Sequence, residues 1–140
     1  MKTTVKQINK HNPDLKKFIN NIGESANTFT YFNSRDVAVI ENHILTVLLY
    51  KNEKPIGYGH LDEDEGVIWL GVCITGKEIG KGHGKKVMES LVDFADKKKL
   101  SLKLSVSSDN LSAQKLYKHF NFVESSKIHP NIFMNRSYED

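Results

Sequence analysis

The apolar residues of this chain follow a strand pattern first and a helical pattern later. Three runs rich in apolar and β-branched residues cover 44–50, 56–61 and 67–74. The polar segments 52–55 and 62–66 separate them and contain the proline and glycine that are typical of turns. Because connections this short join neighbouring antiparallel strands, the pattern predicts a three-stranded meander.

A helix and an irregular segment are expected before this meander. Asn12 is a favourable helix cap, Pro13 suits the first helical position, and Gly23 ends the pattern. The apolar residues at helical spacing between them are Leu15, Phe18, Ile19 and Ile22. Residues 25–36 show no periodicity and are expected to form a loop, which leads into a short helix over 37–42.

After the meander the spacing becomes helical twice. The glycine-rich segment 80–84 precedes a first helical face, and a strand over 100–106 separates it from a second. The two faces consist of Val87, Met88, Leu91, Val92 and Ala95, and of Ala113, Leu116, Tyr117 and Phe120. Closing strands are expected at 122–126 and 132–136. This order of elements predicts one mixed α+β domain, built around a central sheet and spanning residues 1–140.

The composition agrees with a soluble globular protein, since 39% of the 140 residues are hydrophobic and 26% are charged. No apolar run approaches the roughly 20 residues that span a bilayer, and the N-terminus shows no secretory signal. We therefore expect no membrane partner and a cytoplasmic location. Cys73 is the single cysteine, which excludes an internal disulfide. A net charge of +3 with scattered lysines argues against nucleic-acid binding.

Residues 79–86 combine glycine and lysine between a strand and a helix, in the order Ile-Gly-Lys-Gly-His-Gly-Lys-Lys. Glycine allows the backbone to approach an anion closely, and a helix N-terminus offers free N–H groups and a positive dipole end. The segment therefore predicts a pyrophosphate site, with a flexible connection and solvated lysines as the alternative. Its G-x-G-x-G spacing matches neither the nucleotide-hydrolase loop nor the dinucleotide fingerprint.

A second motif, Asn-Leu-Ser-Ala-Gln-Lys-Leu-Tyr, occupies residues 110–117. Asn110 and Tyr117 are seven residues apart, so both lie near one face of the expected helix. Taken alone, Asn110 could be no more than the helix cap, and Tyr117 could be a core aromatic residue. The position of this motif after the glycine loop and an intervening strand favours a shared site.

Together, residues 72–88 and 110–117 resemble the acetyl-CoA-binding motifs of the GNAT superfamily of N-acetyltransferases. In that family the amides of a Gln/Arg-x-x-Gly-x-Gly/Ala loop hold the CoA pyrophosphate. Gly82 and Gly84 occupy the two small positions, whereas Ile79 stands where the family usually has Gln or Arg. The resemblance implies a mostly antiparallel central sheet of six to seven strands, flanked by about four helices.

The resemblance also implies roles for individual residues. Tyr117 is expected to be the general acid for the CoA thiolate, and an amide of Val72 or Cys73 is expected to stabilise the oxyanion. A phenol with a pKa of about 10 is protonated at pH 7, which suits Tyr117 to this role. The residues expected to contact acetyl-CoA are Val72, Cys73, Ile74, Ile79, Gly80, Lys81, Gly82, His83, Gly84, Lys85, Asn110 and Ala113.

A general base is expected to accept a proton from the amine. His60 is our first candidate, because it lies on the strand beside the expected catalytic strand and has glycine neighbours. Asp62, Glu24 and a relay through water are the alternatives. Cys73 has no activating partner in the sequence and is not expected to act as a nucleophile. The six histidines show no metal-binding spacing, so no metal is expected.

The acceptor site is expected in the loop 25–36. Its residues Phe29, Tyr31, Phe32 and Arg35 combine aromatic faces with a cation that could hold a carboxylate or phosphate, although ordinary loop packing is the alternative. We expect a small-molecule amine as acceptor, with a slight preference for an amino sugar. The alternatives are a protein or peptide amine, and a non-catalytic acyl-CoA-binding or sensing module, which would not need Tyr117. The oligomeric state stays open, a homodimer included.

Overall fold

Seven strands form one sheet in the computed structural model, which describes residues 2–140. In chain order the strands are β1 (Thr3–Gln7), β2 (Leu45–Lys51), β3 (Lys54–Asp64), β4 (Val67–Ile74), β5 (Leu102–Ser107), β6 (Val123–Ile128) and β7 (Asn131–Arg136). The α-helices are α1 (Asp14–Asn20), α2 (His83–Lys97) and α3 (Leu111–His119). Short 3₁₀ helices lie at Gly23–Asn27, Val37–Asn42 and Gly76–Glu78.

The sheet has the order β1-β2-β3-β4-β5-β7-β6, and every neighbouring pair is antiparallel except β4 and β5. The expected meander is therefore confirmed as β2, β3 and β4, and so is the mostly antiparallel α+β architecture. Among residues 2–140, no helix combines the length and the apolar character needed to cross a membrane.

Three local features differ from the sequence-based expectation. The strand β1 was not expected, because Val5 is its one strongly apolar residue and most of its side chains are exposed. The loop 25–36 begins inside a 3₁₀ helix, and the helix over 37–42 is also of the 3₁₀ type. The Asp36 carboxylate accepts a hydrogen bond from the Ala38 N–H at 2.8 Å and caps that second helix.

Apolar layers cover both faces of the sheet, which explains why β2 reads as an almost continuous apolar run. Val47 and Leu49 belong to the core under α2, and Leu48 and Tyr50 belong to the core under α1. Successive side chains of a strand point to opposite faces, so a strand that is covered on both sides needs apolar residues at consecutive positions. The helix α2 contributes the face predicted from its spacing, and all five of its predicted residues are buried.

The strands β4 and β5 are paired over one residue only, Trp69 opposite Lys103. Beyond that point β5 pairs with β7 over its whole length, and β4 pairs with β3. The two parallel strands thus separate in the direction of their C-terminal ends, and a gap opens inside the sheet. The helices α2 and α3 both begin beside this gap. The glycine loop and the motif at residues 110–117 therefore both border it.

A buried ion pair holds the C-terminal strand to the end of α2. The Arg136 side chain is almost fully buried and donates two hydrogen bonds to the Asp96 carboxylate, at 2.7 and 3.0 Å. It also donates to the Phe120 carbonyl at 2.8 Å, so it ties α2, β7 and the end of α3 together. The Arg136 guanidinium holds the pKa of Asp96 below its usual value.

Replacing Asp96 with Asn should lower the free energy of unfolding by about 1.5–3 kcal/mol at pH 7, because the buried Arg136 guanidinium loses its hydrogen bonds to a charged group. The Glu139 carboxylate, at 2.8 Å, remains as its second partner. The pKa of Asp96 is depressed in the folded state, so the ion pair contributes above the unfolded pKa of about 3.9 and is lost as pH falls through the lower folded pKa. The difference between the two proteins in denaturant titrations should therefore begin to shrink as pH falls below about 3.9, and it should be smaller at pH 3 than at pH 7. A constant difference between pH 7 and pH 3 would contradict this account.

Candidate active site

A cavity of about 950 Å³ fills the gap between β4 and β5 and continues over the neighbouring sheet face. Its walls are the C-terminal half of β4, the glycine loop with the start of α2, the inner face of α3, and part of the loop 25–36. Of the predicted site residues, Lys81 and Phe32 do not line it. The predicted residues that do are Phe29, Tyr31, Arg35, His60, Val72, Cys73, Ile74, Ile79, Gly80, Gly82, His83, Gly84, Lys85, Asn110, Ala113 and Tyr117.

The glycine loop is shaped by two residues with positive φ, Gly80 at 84° and Gly82 at 81°. Gly82 is the N-cap of α2 and provides no side-chain cap, so the first N–H groups of the helix stay available to a ligand. A helix N-terminus with free amides attracts an anion through its dipole as well as through hydrogen bonds. Ile79 is 58% exposed and contributes an apolar surface to the cavity edge.

An acidic residue that the sequence reasoning missed, Glu78, lies beside this loop. Its carboxylate accepts hydrogen bonds from Lys51 Nζ at 3.1 and 3.3 Å, and His83 Nε2 and Lys81 Nζ lie 3.3 and 3.5 Å from it. Hydrogen bonding from Lys51 is the main reason why the pKa of Glu78 is lowered. Lys81 does not line the cavity, and its ammonium group lies beside the Glu78 carboxylate, so its role as a ligand for acetyl-CoA stays a prediction.

On the opposite wall, α3 presents Asn110 and Tyr117. The Asn110 side-chain oxygen accepts from the Ala113 N–H at 3.2 Å, so Asn110 is the helix cap, and its amide nitrogen remains free to face the cavity. The Tyr117 hydroxyl has no hydrogen-bond partner among residues 2–140. Burial, and then the nearby Cys73 thiol, raise the pKa of Tyr117 to about 12. Tyr117 therefore enters the site as a protonated donor.

Two amides of β4 point into the gap. The Thr75 N–H donates to the Ile56 carbonyl at 2.9 Å, and β3 and β4 keep one register from there to their hairpin. Bonded and non-bonded pairs alternate along an antiparallel ladder, so the Cys73 N–H faces β3, while those of Val72 and Ile74 face the gap. Of the two oxyanion candidates, this geometry favours Val72.

The Cys73 thiol is buried, and burial raises its pKa to about 12. Its Sγ lies 3.8 Å from the Ile74 carbonyl oxygen, which also accepts a hydrogen bond from Ser25 Oγ at 2.5 Å. A thiol with so high a pKa is a poor nucleophile, in agreement with the sequence-based expectation for this residue. The Ser25 contact attaches the segment before the acceptor loop to the end of β4.

His60 is 4% exposed and lies flat over Gly71 of β4. A Cβ built on Gly71 would be 2.5 Å from His60 Nε2, so the imidazole occupies the space that any larger residue would fill. The other ring nitrogen, Nδ1, lies 2.6 Å from the Tyr58 hydroxyl. Burial lowers the pKa of His60 to about 3, which makes the ring neutral at working pH.

Hydrogen-bond accounting assigns the proton of this neutral ring. Tyr58 is fully buried, and His60 is its one hydrogen-bond partner among residues 2–140. If the Tyr58 hydroxyl donates to Nδ1, both groups are satisfied, whereas the other tautomer leaves a buried hydroxyl proton unpaired. His60 Nε2 then carries the hydrogen and faces the cavity as a donor. The low pKa and this tautomer both argue against the general-base role that the sequence suggested for His60.

The acceptor end of the cavity is formed by side chains rather than by backbone. Tyr31 lies with its hydroxyl 2.7 Å from His43 Nε2 and donates to the Asp62 carboxylate at 3.0 Å. The Arg35 guanidinium stacks 4.2 Å above the Tyr31 ring. Phe32 instead packs against Tyr58 in the core under α1, with ring centroids 5.5 Å apart, and does not line the cavity.

Three further residues line this end without having been assigned there from sequence, namely Asp64, Trp69 and Asn131. Glu24, one of the alternative bases, does not line the cavity, and its backbone lies against Gly76. Among residues 2–140, no three histidine, cysteine or acidic side chains come close enough together to hold a metal ion. The absence of a metal from the reaction remains a prediction.

Comparison with known proteins places this site in a family. The family model described as Acetyltransferase (GNAT) family matches residues 14–122. No curated protein sequence matches the chain. Among solved structures, an acetyltransferase of the GNAT family from Streptococcus pneumoniae is 16% identical and superimposes with a TM-score of 0.80, covering 99% of this chain and 100% of that one.

Two other solved structures extend this comparison. The ribosomal-protein-S18-alanine N-acetyltransferase from Escherichia coli is 17% identical, with a TM-score of 0.76 and coverage of 99% and 96% of the two chains. The PaiA N-acetyltransferase from Thermoplasma acidophilum, solved in complex with coenzyme A, is 16% identical, with a TM-score of 0.78 and coverage of 99% and 100%. At these identities the structures share the fold with this chain.

Replacing Gly82 with Val should weaken acetyl-CoA binding by about 1–2 kcal/mol, because a β-branched residue resists the positive φ and reshapes the anion-binding amides. Gly66→Val is the matched control, since Gly66 has the same φ of 81° and equally open surroundings in the β3–β4 turn. Calorimetry should show a loss of affinity for Gly82→Val alone, whereas thermal unfolding should show a similar destabilisation of both. Equal affinities in the two variants would remove Gly82 from the binding loop.

Proposed function

This chain belongs to the acetyltransferase (GNAT) family and is an acetyl-CoA-dependent acetyltransferase, and we propose that it acetylates the primary amine of a small acceptor by direct attack on the thioester. The observation that carries this proposal is the pairing of two unused hydrogen-bond donors across the gap, the Val72 N–H on β4 and the Tyr117 hydroxyl on α3. In this proposal the first stabilises the oxyanion and the second meets the departing sulfur.

The balance of the proposed reaction is that of an amide synthesis. The neutral amine nitrogen forms a bond to the acetyl carbon, the carbon–sulfur bond breaks, and the sulfur leaves with the electron pair. The nitrogen loses its extra proton to solvent, and the thiolate takes up a proton. No covalent enzyme intermediate is needed, which agrees with the high pKa of the Cys73 thiol.

Tyr117 is proposed to act mainly as a hydrogen-bond donor. Its pKa of about 12 keeps the hydroxyl protonated, so the donor is always present. Complete transfer of its proton to a thiolate with a pKa of about 8.5 would be uphill by about 5 kcal/mol. A hydrogen bond to the developing negative charge avoids this cost and still favours the transition state.

His60 is proposed to contribute its Nε2–H beside the reacting centre. The His60 ring, which belongs to β3, lies over Gly71, the residue before Val72 on β4. Its Nε2–H and the Val72 N–H are therefore neighbouring donors. A neutral imidazole that donates to the acyl oxygen or holds the amine in line would assist the reaction without changing its own protonation. Asp62 is the nearest carboxylate on the same strand face, and water in the cavity can carry the released proton to it or to bulk solvent.

Several coarser expectations are carried into this proposal. We propose that residues 1–140 act as one N-acetyltransferase domain, supported by the two core layers on a single sheet. A cytoplasmic site of action is supported by the single free cysteine. A small acceptor is favoured over a protein amine, because the groups that would contact it lie inside the cavity. A non-catalytic acyl-CoA-binding module is disfavoured, because it would not need the Tyr117 hydroxyl that lines the cavity.

Replacing Tyr117 with Phe should lower kcat by about 10- to 100-fold, as expected for the loss of one hydrogen bond to a charged leaving group. The affinity for acetyl-CoA should stay within about twofold, because the ring and its packing remain. Steady-state kinetics and calorimetry on the parent, on Tyr117→Phe and on the exposed control Tyr138→Phe measure both effects. A Tyr117→Phe variant that turns over at the parent's rate would support the binding-module alternative.

The pH dependence should show that no internal base of near-neutral pKa takes the proton. With His60 neutral down to a pKa of about 3, kcat/KM for an acceptor of pKa about 10 should rise nearly tenfold per pH unit from pH 6 to 9. His60→Ala should lower the rate and keep this slope. A plateau that starts near pH 6.5 in the parent and disappears in His60→Ala would restore His60 as the base.

A further inference from the structure

The acceptor end of the cavity is organised by alternate residues of one strand. His60, Asp62 and Asp64 lie on the same face of β3, and all three line the cavity. Same-face neighbours on a strand are about 6.6 Å apart, so the three side chains form a row about 13 Å long. Tyr31 and Trp69 border the row with aromatic rings.

The two carboxylates in this row lack a charged basic partner. His43 Nε2 lies 4.0 Å from Asp62 Oδ2, but burial lowers the pKa of His43 and so favours its neutral form. No lysine or arginine nitrogen among residues 2–140 lies within 4.0 Å of either one, and Asp62 accepts its one side-chain hydrogen bond from Tyr31. The two nearby cationic side chains, Arg35 and Lys103, each form a cation–π contact with an aromatic ring. Arg35 stacks on Tyr31 and donates to its carbonyl at 2.9 Å. Lys103 Nζ lies 5.7 Å from the Trp69 ring centre.

The other end of the row is fixed by His60. The His60 residue is only 4% exposed, and no group among residues 2–140 forms a hydrogen bond with its Nε2. Among residues 2–140 no fully buried side-chain nitrogen or oxygen lacks a partner, so this Nε2 is open to the cavity that His60 lines and can donate to a ligand there. Since Nε2 lies over Gly71 beside the Val72 amide, this place is the reacting end, and the carboxylates lie farther along the strand.

We infer that the acceptor is a linear diamine or polyamine, whose attacking nitrogen lies at His60 and whose second, charged nitrogen is held by Asp62 and Asp64. This inference rests on the proposed function. The backbone spacing of about 6.6 Å between His60 and Asp62 is close to the separation of two nitrogens joined by about four methylene groups, and a longer polyamine would reach Asp64. A diamine replaces the amino sugar as the favoured acceptor, because Phe32 packs against Tyr58 and Arg35 stacks on Tyr31. Neither residue is then available to bind a sugar.

The reaction acetylates one nitrogen and leaves the other unchanged. The attacking nitrogen reacts in its neutral form, its bond to the acetyl carbon forms as the carbon–sulfur bond breaks, and its proton goes to solvent. The distal nitrogen stays protonated, so its attraction to the carboxylates is present before and after the transfer. Such an interaction should affect KM far more than kcat.

The test compares a linear diamine of four methylene groups with the amino alcohol of equal length, with glucosamine and with glycine, by thiol release from acetyl-CoA. The diamine should have a KM at least about tenfold below that of the amino alcohol, as expected for a hydrogen bond between charged groups. Asp62→Asn and Asp64→Asn should each raise the diamine KM about tenfold and raise that of the amino alcohol much less. Asn at position 62 still accepts the Tyr31 hydroxyl, so the wall is kept.

Glu63→Gln is the matched control, because it removes the same charge from the same strand but on the opposite face. This variant should keep the parent's KM for the diamine. Arg35→Gln separates a diamine from an amino acid, since loss of the guanidinium should lower or preserve the KM of the first and raise that of the second. Calorimetry of the diamine against the enzyme–CoA complex gives a readout independent of turnover.

Each outcome decides one way. A diamine that is no better than the amino alcohol, or a Glu63→Gln effect as large as that of Asp64→Asn, overturns the inference. If glucosamine or glycine is acetylated without dependence on Asp62 and Asp64, the inference fails while the proposed function stands. If acetyl-CoA binds and no amine is acetylated, the proposed function fails and the inference fails with it.

Discussion

The separation of β4 from β5 after a single residue pair is the constraint on which the site depends. Continued pairing would engage the Val72 and Ile74 amides in a ladder and close the cavity. Each strand is still held in the sheet by a complete partner on its other side, β3 for β4 and β7 for β5. A parallel pair also requires a crossover, and here the crossover helix α2 starts at the glycine loop. The free amides of the strand and those of the helix N-terminus therefore face the same cavity.

The buried titratable side chains of this site are uncharged, which is its second physical feature. Three cavity-lining groups, Tyr117, His60 and Cys73, are all held neutral at pH 7, because desolvation disfavours their charged forms. Neutral donors retain their hydrogens over a wide pH range, so the site needs no proton transfer to become ready. The charged groups Asp62, Asp64 and Arg35 lie at the more open acceptor end, where solvation is retained.

Local sequence signals predicted most of the fold and many of the residues that line the cavity. Turn residues defined the meander, helical spacing defined α2 and α3, and the glycine loop with Asn110 and Tyr117 defined the cavity walls. The role of His60 could not be predicted, because its tautomer depends on the Tyr58 hydroxyl and its position on the absence of a Cβ at Gly71. The choice of Val72 over Cys73 depends on the register of β4 with β3. Glu78 was missed because its partner Lys51 lies in a distant strand.

The two ends of the cavity are built from different materials. The end proposed for the cofactor presents backbone amides and a helix N-terminus, which many sequences can supply, and proteins about 16% identical share the fold. At the end proposed for the acceptor, side chains at alternate positions of β3 line the cavity, and their exchange leaves the strand's hydrogen bonds untouched. A lineage can therefore change what it modifies by a few substitutions on one strand while inheriting its chemistry unchanged. Directed evolution of a new acceptor preference would start at positions 62 and 64.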